Sequence, residues 1–176
     1  VEYRIHPYTD GTGPGADCDY GDVLDTVFRV YVNPTPRIDV LVDNDTICDE
    51  GTSTITVSSI TGLTAGEVLI DYTIENTSGP ITDISGQTTD TRVNMGDFTQ
   101  TLDNHTNQVQ WVEYRIHPYA ANTGSGVDCD HGTGQDTIFR IYVNPSPTIL
   151  VTADDTLCDE GTSTINVSST TSLTDG

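Results

Sequence analysis

The chain has 176 residues, of which 27 are acidic and six are arginine, with no lysine, so its formal net charge is -21. This balance argues against nucleic acid and anionic membrane surfaces as partners, because both are bound through clustered cations. No run approaches the 18 apolar residues of a membrane span, and the acidic surface suits solubility at high local density and the binding of divalent cations.

The sequence contains an internal repeat with a period near 110 residues. Residues 1–36 align without a gap with residues 112–147, with 24 identical positions, and CDEGTSTI at 48–55 returns at 158–165. A period of this length fits one small β-sandwich domain per repeat, and a partial copy of about 35 residues buries too little surface to fold alone. We therefore expect a window from a longer tandem array, made of the last two strands of a preceding repeat (1–35), one complete repeat (36–146) and the first two strands of the following repeat (147–176).

Apolar and polar residues alternate with period two through most of the complete repeat, which is typical of strands with one buried face. In VQWVEYRIHPY, for example, Val112, Tyr114 and Ile116 form the predicted inward face. No window has helical apolar spacing with capping signals, so the sequence predicts an all-β protein. Seven strands in about 110 residues favour an immunoglobulin-like β-sandwich, with predicted strands at 37–42, 52–58, 67–75, near 89–95, near 97–102, 109–118 and 136–144.

The predicted junctions between repeats are VNPTP at 32–36 and VNPSP at 143–147. Two prolines separated by one residue fix φ and favour extended backbone before each ring. Each linker should therefore be short and stiff, and a series of such repeats should form a rod.

Several coupled motifs define the repeat: VNPTP, then TICDEGTSTITVSS, then YRIHPY, a Gly-rich loop with one cysteine, and DTVFRVYVNP. This set resembles the PKD-like and immunoglobulin-like repeats of Bacteroidetes cell-surface adhesins, including gliding-motility adhesins of the SprB type. The resemblance covers the whole chain. It implies an extracellular, outer-membrane-associated filament that contacts an external surface or polysaccharide, and that is coupled to the type IX secretion and gliding machinery through other parts of the protein.

Four cysteines occupy two equivalent pairs of positions, and a secreted array should hold them oxidised. Cys48 and Cys158 lie between the first two strands of a repeat, whereas Cys18 and Cys129 lie in the Gly-rich loop between the last two. Three schemes are open: Cys48 with Cys129, a bridge across the proline linker (Cys18 with Cys48, Cys129 with Cys158), or a bridge to a neighbouring repeat outside this chain. In an immunoglobulin topology the two positions are about 25 Å apart, whereas a disulfide needs Cα atoms within about 7 Å, so strand direction disfavours the first two schemes. It favours a bond from the Cys48 position of one repeat to the Cys129 position of its successor. A Gly-rich loop folded down the side of the domain, from Tyr119 to Cys129, keeps the bond between Cys48 and Cys129 open.

The same two regions hold clusters of carboxylates, which repel one another unless a cation lies between them. Calcium accepts six to eight oxygen ligands from such loops. No cofactor is required, and structural calcium at the repeat junctions is the metal hypothesis; a solvated acidic surface with Asp-capped turns is the alternative. The candidate ligands are Asp43, Asp45, Asp49, Glu50, Asp128, Asp130, Asp154 and Asp155.

The triplet Asp-Thr-aliphatic occurs four times and resembles the O-glycosylation signal of secreted Bacteroidetes proteins. The resemblance implies four acceptors, although Asp in a turn followed by a β-branched strand start is also ordinary strand chemistry. The acceptor threonines would be Thr26, Thr46, Thr137 and Thr156.

No nucleophile motif, phosphate-binding Gly loop or zinc-spaced Cys/His set is present, and His-Pro at a strand end is usually a packing feature, so we expect no enzyme. The leading hypothesis is a structural repeat of a cell-surface filament that extends an adhesive tip. The alternative is a binding module that recognises a carbohydrate or surface polymer through its long Gly-rich loop.

Overall fold

A computed structural model describes residues 1–9, 18–19, 21–64, 66–121 and 128–171, and these residues form an all-β fold. Its only helical segments within those ranges are three short 3-10 turns, so no described helix is long and apolar enough to cross a membrane. The chain divides into two compact units, Val1–Pro34 and Thr35–Gly176.

Sixteen strands are present in the described residues. The first unit contains β1 (Glu2–Ile5), β2 (Tyr8–Thr9), β3 (Cys18–Asp19) and β4 (Thr26–Arg29). The second contains β5 (Ile38–Val42), β6 (Thr46–Cys48), β7 (Gly51–Ser59), β8 (Val68–Thr77), β9 (Ile84–Ser85), β10 (Asp90–Asn94), β11 (Asp97–Asn104), β12 (Gln110–Ala120), β13 (Cys129–Asp130), β14 (Thr137–Asn144), β15 (Ile149–Thr152) and β16 (Asn166–Ser169).

Two sheets face each other across the core of the second unit. The larger has the order β10-β8-β12-β14-β6, with β13 paired to the end of β12, and the smaller has the order β5-β7-β11-β9. All pairings in these sheets are antiparallel except that between β6 and β14, which is parallel and places Cys48 beside Asn144. The chain thus leaves the smaller sheet after β5 and joins the larger sheet through β6, so the start of the complete repeat is bonded to its last strand.

The core consists of inward-facing apolar residues from both sheets, as the period-two alternation requires. The larger sheet contributes Val112, Tyr114 and Ile116 from β12, which are fully buried, and the smaller sheet contributes Ile55 and Leu102, which are equally buried. The predicted inward face of β12 is therefore confirmed. By the usual area relation, each fully buried Ile or Leu side chain stabilises the fold by about 1.5–3 kcal/mol.

One polar side chain, Gln100, lies at the centre of this core and is fully buried. Its carbonyl oxygen accepts hydrogen bonds from the Tyr114 hydroxyl (2.8 Å) and from the backbone N–H of Thr88 (2.9 Å). Its amide donates to the hydroxyl (2.6 Å) and carbonyl (3.3 Å) oxygens of Thr88. Because every polar atom of the amide is bonded, its burial is tolerated, and the network ties the 86–89 segment to the core.

The partial copies have the same strands but not the same burial. Tyr3 and Ile5 on β1, the counterparts of buried Tyr114 and Ile116, are 49% and 55% exposed. In β15 and β16, Val151 and Val167 are 52% and 64% exposed, although Val57, the counterpart of Val167, is buried in the complete repeat. The same apolar face is therefore buried in the complete repeat and exposed to solvent in the partial copies.

The seven strands predicted for the complete repeat are all present, and their ends differ from the prediction by at most two residues. The sequence reading missed β6 because its three residues, Thr46–Cys48, lie between two acidic turns and are too short to show alternation. Ile47 at its centre is buried, and this single apolar residue among carboxylates was the available signal.

The repeat supplies a matched pair of substitutions that tests this burial difference. Ile116→Ala should lower the free energy of unfolding by about 2–5 kcal/mol, because it opens a cavity in a closed core. Ile5→Ala removes the same side chain from the same sequence context and should change it by less than about 0.5 kcal/mol, because Ile5 is exposed. Urea denaturation followed by the fluorescence of the single Trp111 measures both; equal effects would contradict the burial assignment.

Candidate functional site

A concavity of the complete repeat lies on the outer face of the larger sheet, where the 128–136 segment folds over β8 and β12. Its volume is about 280 Å³. Because side chains alternate along a strand, the outward residues of β12 at this point are Arg115, His117 and Tyr119. The lining residues are Asp71, Thr73, Arg115, His117, Tyr119, Asp130, Gly132, Thr133 and Asp136, and we call this set the polar cluster.

His117 joins the 128–136 segment to the sheet. Its Nδ1 is hydrogen-bonded to Asp136, and its Nε2 lies 3.1 Å from an oxygen of Asp130. Both ring nitrogens thus face carboxylates, and the ring is held between Asp136 and Asp130. The side chain of His117 is only 14% exposed, and that of Asp136 is 7% exposed, so the pair is shielded from bulk water.

Arg115 neutralises the carboxylates on the other side of the concavity. Its guanidinium is bonded to Glu75, and its Nε lies 3.5 Å from Asp136. Glu75 sits where the pairing of β8 with β12 shifts register, and this bulge aims its carboxylate at Arg115. The Nε of Arg115 is buried and makes no hydrogen bond, so Asp136 holds it by charge alone.

Arg92 contacts two of the lining residues, Tyr119 and Asp71, and has a strained backbone, with φ of 54°. A non-glycine residue adopts this left-handed conformation at a cost, so its surroundings must hold it there. Its N–H donates to Asp71 (2.7 Å), while its guanidinium lies 3.2 Å from the ring centroid of Tyr119 and 3.4 Å from Asp128. The Tyr119 hydroxyl donates to Asp71 at 2.8 Å. Burial, together with that hydrogen bond, raises the pKa of Tyr119 to about 12.

The polar cluster fastens the last third of the Gly-rich loop to the sheet. The N–H of Gly132 donates to Asp130 at 2.7 Å, and this bond, aided by His117 and opposed by burial, lowers the pKa of the Asp130 carboxyl. Both hydrogen-bond partners of His117 among the described residues are carboxylates, Asp136 and Asp130.

The first unit carries the same constellation. His6 lies 2.5 Å from Asp25, and Arg4 is bonded to Asp25 and lies 3.0 Å from Asp22. His6, Asp22 and Asp25 are also the one group of described His, Cys and acidic residues whose ligand atoms lie within 4.8 Å of one another. Arg4 occupies this group as its counter-ion, so the geometry is that of an ion-pair network and not of a metal centre.

The predicted calcium ligands lie at two ends of the complete repeat and in the hairpin that follows it. Asp128 faces Arg92, Asp130 belongs to the polar cluster, and Asp49 accepts hydrogen bonds from Asn104 N–H and the Ser146 hydroxyl, both at 2.7 Å. These two bonds lower the pKa of Asp49. The other five candidate ligands are exposed. Three of them accept hydrogen bonds from a neighbour in sequence: Asp43 from Asn44, Asp45 from Thr46 and Asp155 from Thr156. Glu50 has a left-handed backbone with φ of 59°, and Asp154 lies in the β15–β16 connection.

The cysteines are separated along the sheet. Cys48 pairs with Asn144 at one end of the sheet, one position beyond Val143, which pairs with Gln110 on β12. Cys129 pairs with Ala120 at the other end, ten residues along β12 from Gln110. Ten strand residues span about 33 Å, so this register does not allow a bond between Cys48 and Cys129. Both are free thiols here, as is exposed Cys158; the side chain of Cys18 lies outside the described residues.

The four candidate acceptor threonines differ in exposure. Thr26, Thr46 and Thr156 are exposed, whereas Thr137 at the start of β14 is half-buried. The hydroxyls of Thr46 and Thr156 donate to the preceding aspartates, at 3.1 and 3.2 Å. These bonds support the alternative that the triplet is an aspartate turn before a strand, and they leave both hydroxyls at the surface.

Sequence reasoning missed the polar cluster as a unit. The period-two pattern predicts which face of β12 is buried, but not which loop carboxylates meet Arg115 and His117 on its other face. The signal was the repeat itself, because Arg4, His6 and Asp25 recur as Arg115, His117 and Asp136 with unchanged spacing. Arg92 had no such signal, because the aligned copies do not include its region.

No family model, curated protein or solved structure matches this chain. The polar cluster and the ends of the repeat must therefore be interpreted from their own chemistry.

The lowered pKa of Asp130 predicts a pH dependence of its contribution to stability. A carboxyl with a depressed folded-state pKa stabilises the fold above its unfolded pKa, about 3.9, and loses this effect as pH falls through the folded value. The stability difference between wild type and Asp130→Asn should thus be full at pH 5 and shrink toward pH 3. Asp97→Asn, which removes an exposed carboxylate from β11, is the control; a pH-independent difference for Asp130→Asn would contradict the assignment.

Proposed function

We propose that this chain is a stretch of tandem immunoglobulin-like repeats in a long secreted filament on the cell surface. The repeats extend an adhesive tip and support surface attachment or gliding motility, in a structural role without catalysis. Other parts of the protein would connect the filament to the outer membrane and its secretion and gliding machinery.

The strand order supports the immunoglobulin-like assignment. One sheet contains the first, second and fifth predicted strands (β5, β7 and β11), and the other contains the third, sixth and seventh (β8, β12 and β14). The crossing from β5 to β6 puts the start of the repeat beside its last strand. The fourth predicted strand, β10, pairs with β8 in the second sheet and does not join the first. The division of the other six strands between two facing sheets supports an immunoglobulin-like sandwich.

The observation that carries the proposal is the contrast in burial between equivalent residues. Ile116 is fully buried, whereas Ile5, in the identical peptide VEYRIHPY, is 55% exposed. An exposed apolar sheet face of this kind needs a covering partner. The fitting occupants are the missing strands of the preceding and following repeats, because the complete repeat covers the same face with its own strands.

The positions of the cysteines support a disulfide between repeats. Cys48 lies at the end of the complete repeat where β14 leads into the linker, and Cys129 lies at the opposite end. In a head-to-tail series the Cys48 position of one repeat would face the Cys129 position of the next. The carboxylates near both positions would meet at the same place, which keeps junction calcium part of the proposal.

Length scaling tests the structural role. Chains with one to four copies of residues 36–146 should lengthen in proportion to copy number, by about 40 Å per copy, since β12 spans about 36 Å and the linker adds a few residues. Small-angle scattering and electron microscopy measure the length. Copies that fail to fold as separate domains would refute the proposal.

Bond formation between repeats can be measured in the same chains. Non-reducing peptide mapping of a two-copy chain should find the Cys48 position of the first copy joined to the Cys129 position of the second. The Cys48→Ser variant in the first copy should abolish this peptide. Unmodified cysteines after oxidative folding would rule out the disulfide between repeats, and the length test would still stand.

A carbohydrate- or polymer-binding module is the second candidate, and the open concavity with Tyr119, Arg115 and three aspartates favours it. Such sites combine an aromatic surface with a few polar groups. A glycan array that gives signals lost in Arg115→Ala, with an unchanged fold, would support binding. A pure spacer should give no ligand-dependent shift in melting temperature.

A further inference from the structure

The two linkers share the pattern Asn-Pro-Thr/Ser-Pro, but their prolines are buried in opposite order. Pro36, the second proline of the first linker, is fully buried at the start of the complete repeat, and Pro145, the first proline of the second linker, is buried at its end. Their counterparts, Pro147 and Pro34, are exposed. The complete repeat thus covers the proline that enters it and the proline that leaves it.

In each linker, the residue between the two prolines also contacts the complete repeat. This residue is Thr35 at the start of the repeat and Ser146 at its end. The Ser146 hydroxyl donates to Asp49 at 2.7 Å, and the other oxygen of Asp49 accepts the N–H of Asn104 at the same distance. The Thr35 hydroxyl, in the equivalent position of the entering linker, lies 3.4 Å from Nδ1 of His131. One hydroxyl offers one donor and two acceptor sites, so it can bond a repeat on each side.

A further contact reaches past the leaving linker. Asn107, in the turn between β11 and β12, donates from its side chain to the carbonyl of Thr170 at 3.0 Å. The next residue, Thr171, is only 9% exposed, whereas residues 146–170 are exposed apart from half-buried Ser163. The turn at 169–171 has the same Ser-Thr hydrogen bonds as its counterpart at 59–61, so it is a preserved structure that meets this contact.

We infer that the Asn-Pro-Ser-Pro linker at 144–147 clamps the complete repeat and the repeat that follows it in one fixed orientation, with the next repeat of the chain as the partner. The first proline belongs to the repeat that ends, the second to the repeat that begins, and the hydroxyl between them bonds both. The turn that carries Asn107 docks on the turn after the second long strand of the next repeat, at the positions of Thr170 and Thr171. This inference rests on the proposed tandem array, and it adds that the array has no free hinge.

Residual dipolar couplings of the chain in a dilute aligned medium test the clamp. The amide couplings of β15 and β16, which form the β15–β16 hairpin, should fit the alignment tensor of the complete repeat. We expect this because the linker holds the hairpin and the complete repeat as one rigid body. Three glycines inserted after Ser146 should reduce the hairpin couplings by at least about twofold, because such a linker is a flexible coil. The chemical shifts of the complete repeat should not change.

Asn107→Ala tests the docking contact without a change in the linker. It should shift the amide resonances of Thr170 and Thr171 and make the hairpin couplings deviate from the common tensor. Asn94→Ala, at the exposed end of β10, is the matched control and should leave both unchanged.

A wild-type hairpin that is disordered or needs its own tensor would overturn the inference, as would an insertion without effect. In that case the filament proposal stands if multi-copy chains still lengthen with copy number, but with the weaker scaling of a jointed chain. If the copies do not fold as separate domains, the filament proposal itself fails.

Discussion

The parallel pairing of β6 with β14 is the constraint on which the rest of the structure depends. It bonds the first residues of the complete repeat to its last strand, so the core closes only when both ends of an approximately 110-residue sequence are present. Such non-local pairing makes a repeat an all-or-none unit, because its loop-closure entropy is recovered only when both sheets form. It also explains why a partial copy keeps its strand pairing but leaves its apolar face exposed.

Charge is the second constraint, because a chain with net charge of -21 must limit its own repulsion. Five of the six arginines, Arg4, Arg29, Arg92, Arg115 and Arg140, lie within 4 Å of a carboxylate. The polar cluster contains Arg115 and His117, and Arg92 contacts it, where the Gly-rich loop brings several aspartates against the sheet. These five arginines therefore pair with carboxylates of the protein's own strands and loops.

The sequence predicted the strands well because their period-two alternation is a local property that the fold did not override. VEYRIHPY shows the limit of that method: its pattern is the same at both occurrences, but only Ile116 is buried, because burial depends on strands distant in sequence. The polar cluster was missed for the same reason. Arg92 reaches Tyr119 only through a left-handed backbone and a register shift, and neither feature has a periodic signal.

Hydrogen exchange at the two copies of VEYRIHPY tests the central claim most directly. The two peptides are identical, so differences in amide protection report only the structure around them. We predict that Tyr114, Arg115 and Ile116 exchange at least about 100-fold more slowly than Tyr3, Arg4 and Ile5, because a closed core protects only the former. Equal protection at the two sites would contradict the conclusion that the apolar sheet face is buried around Ile116 and exposed around Ile5.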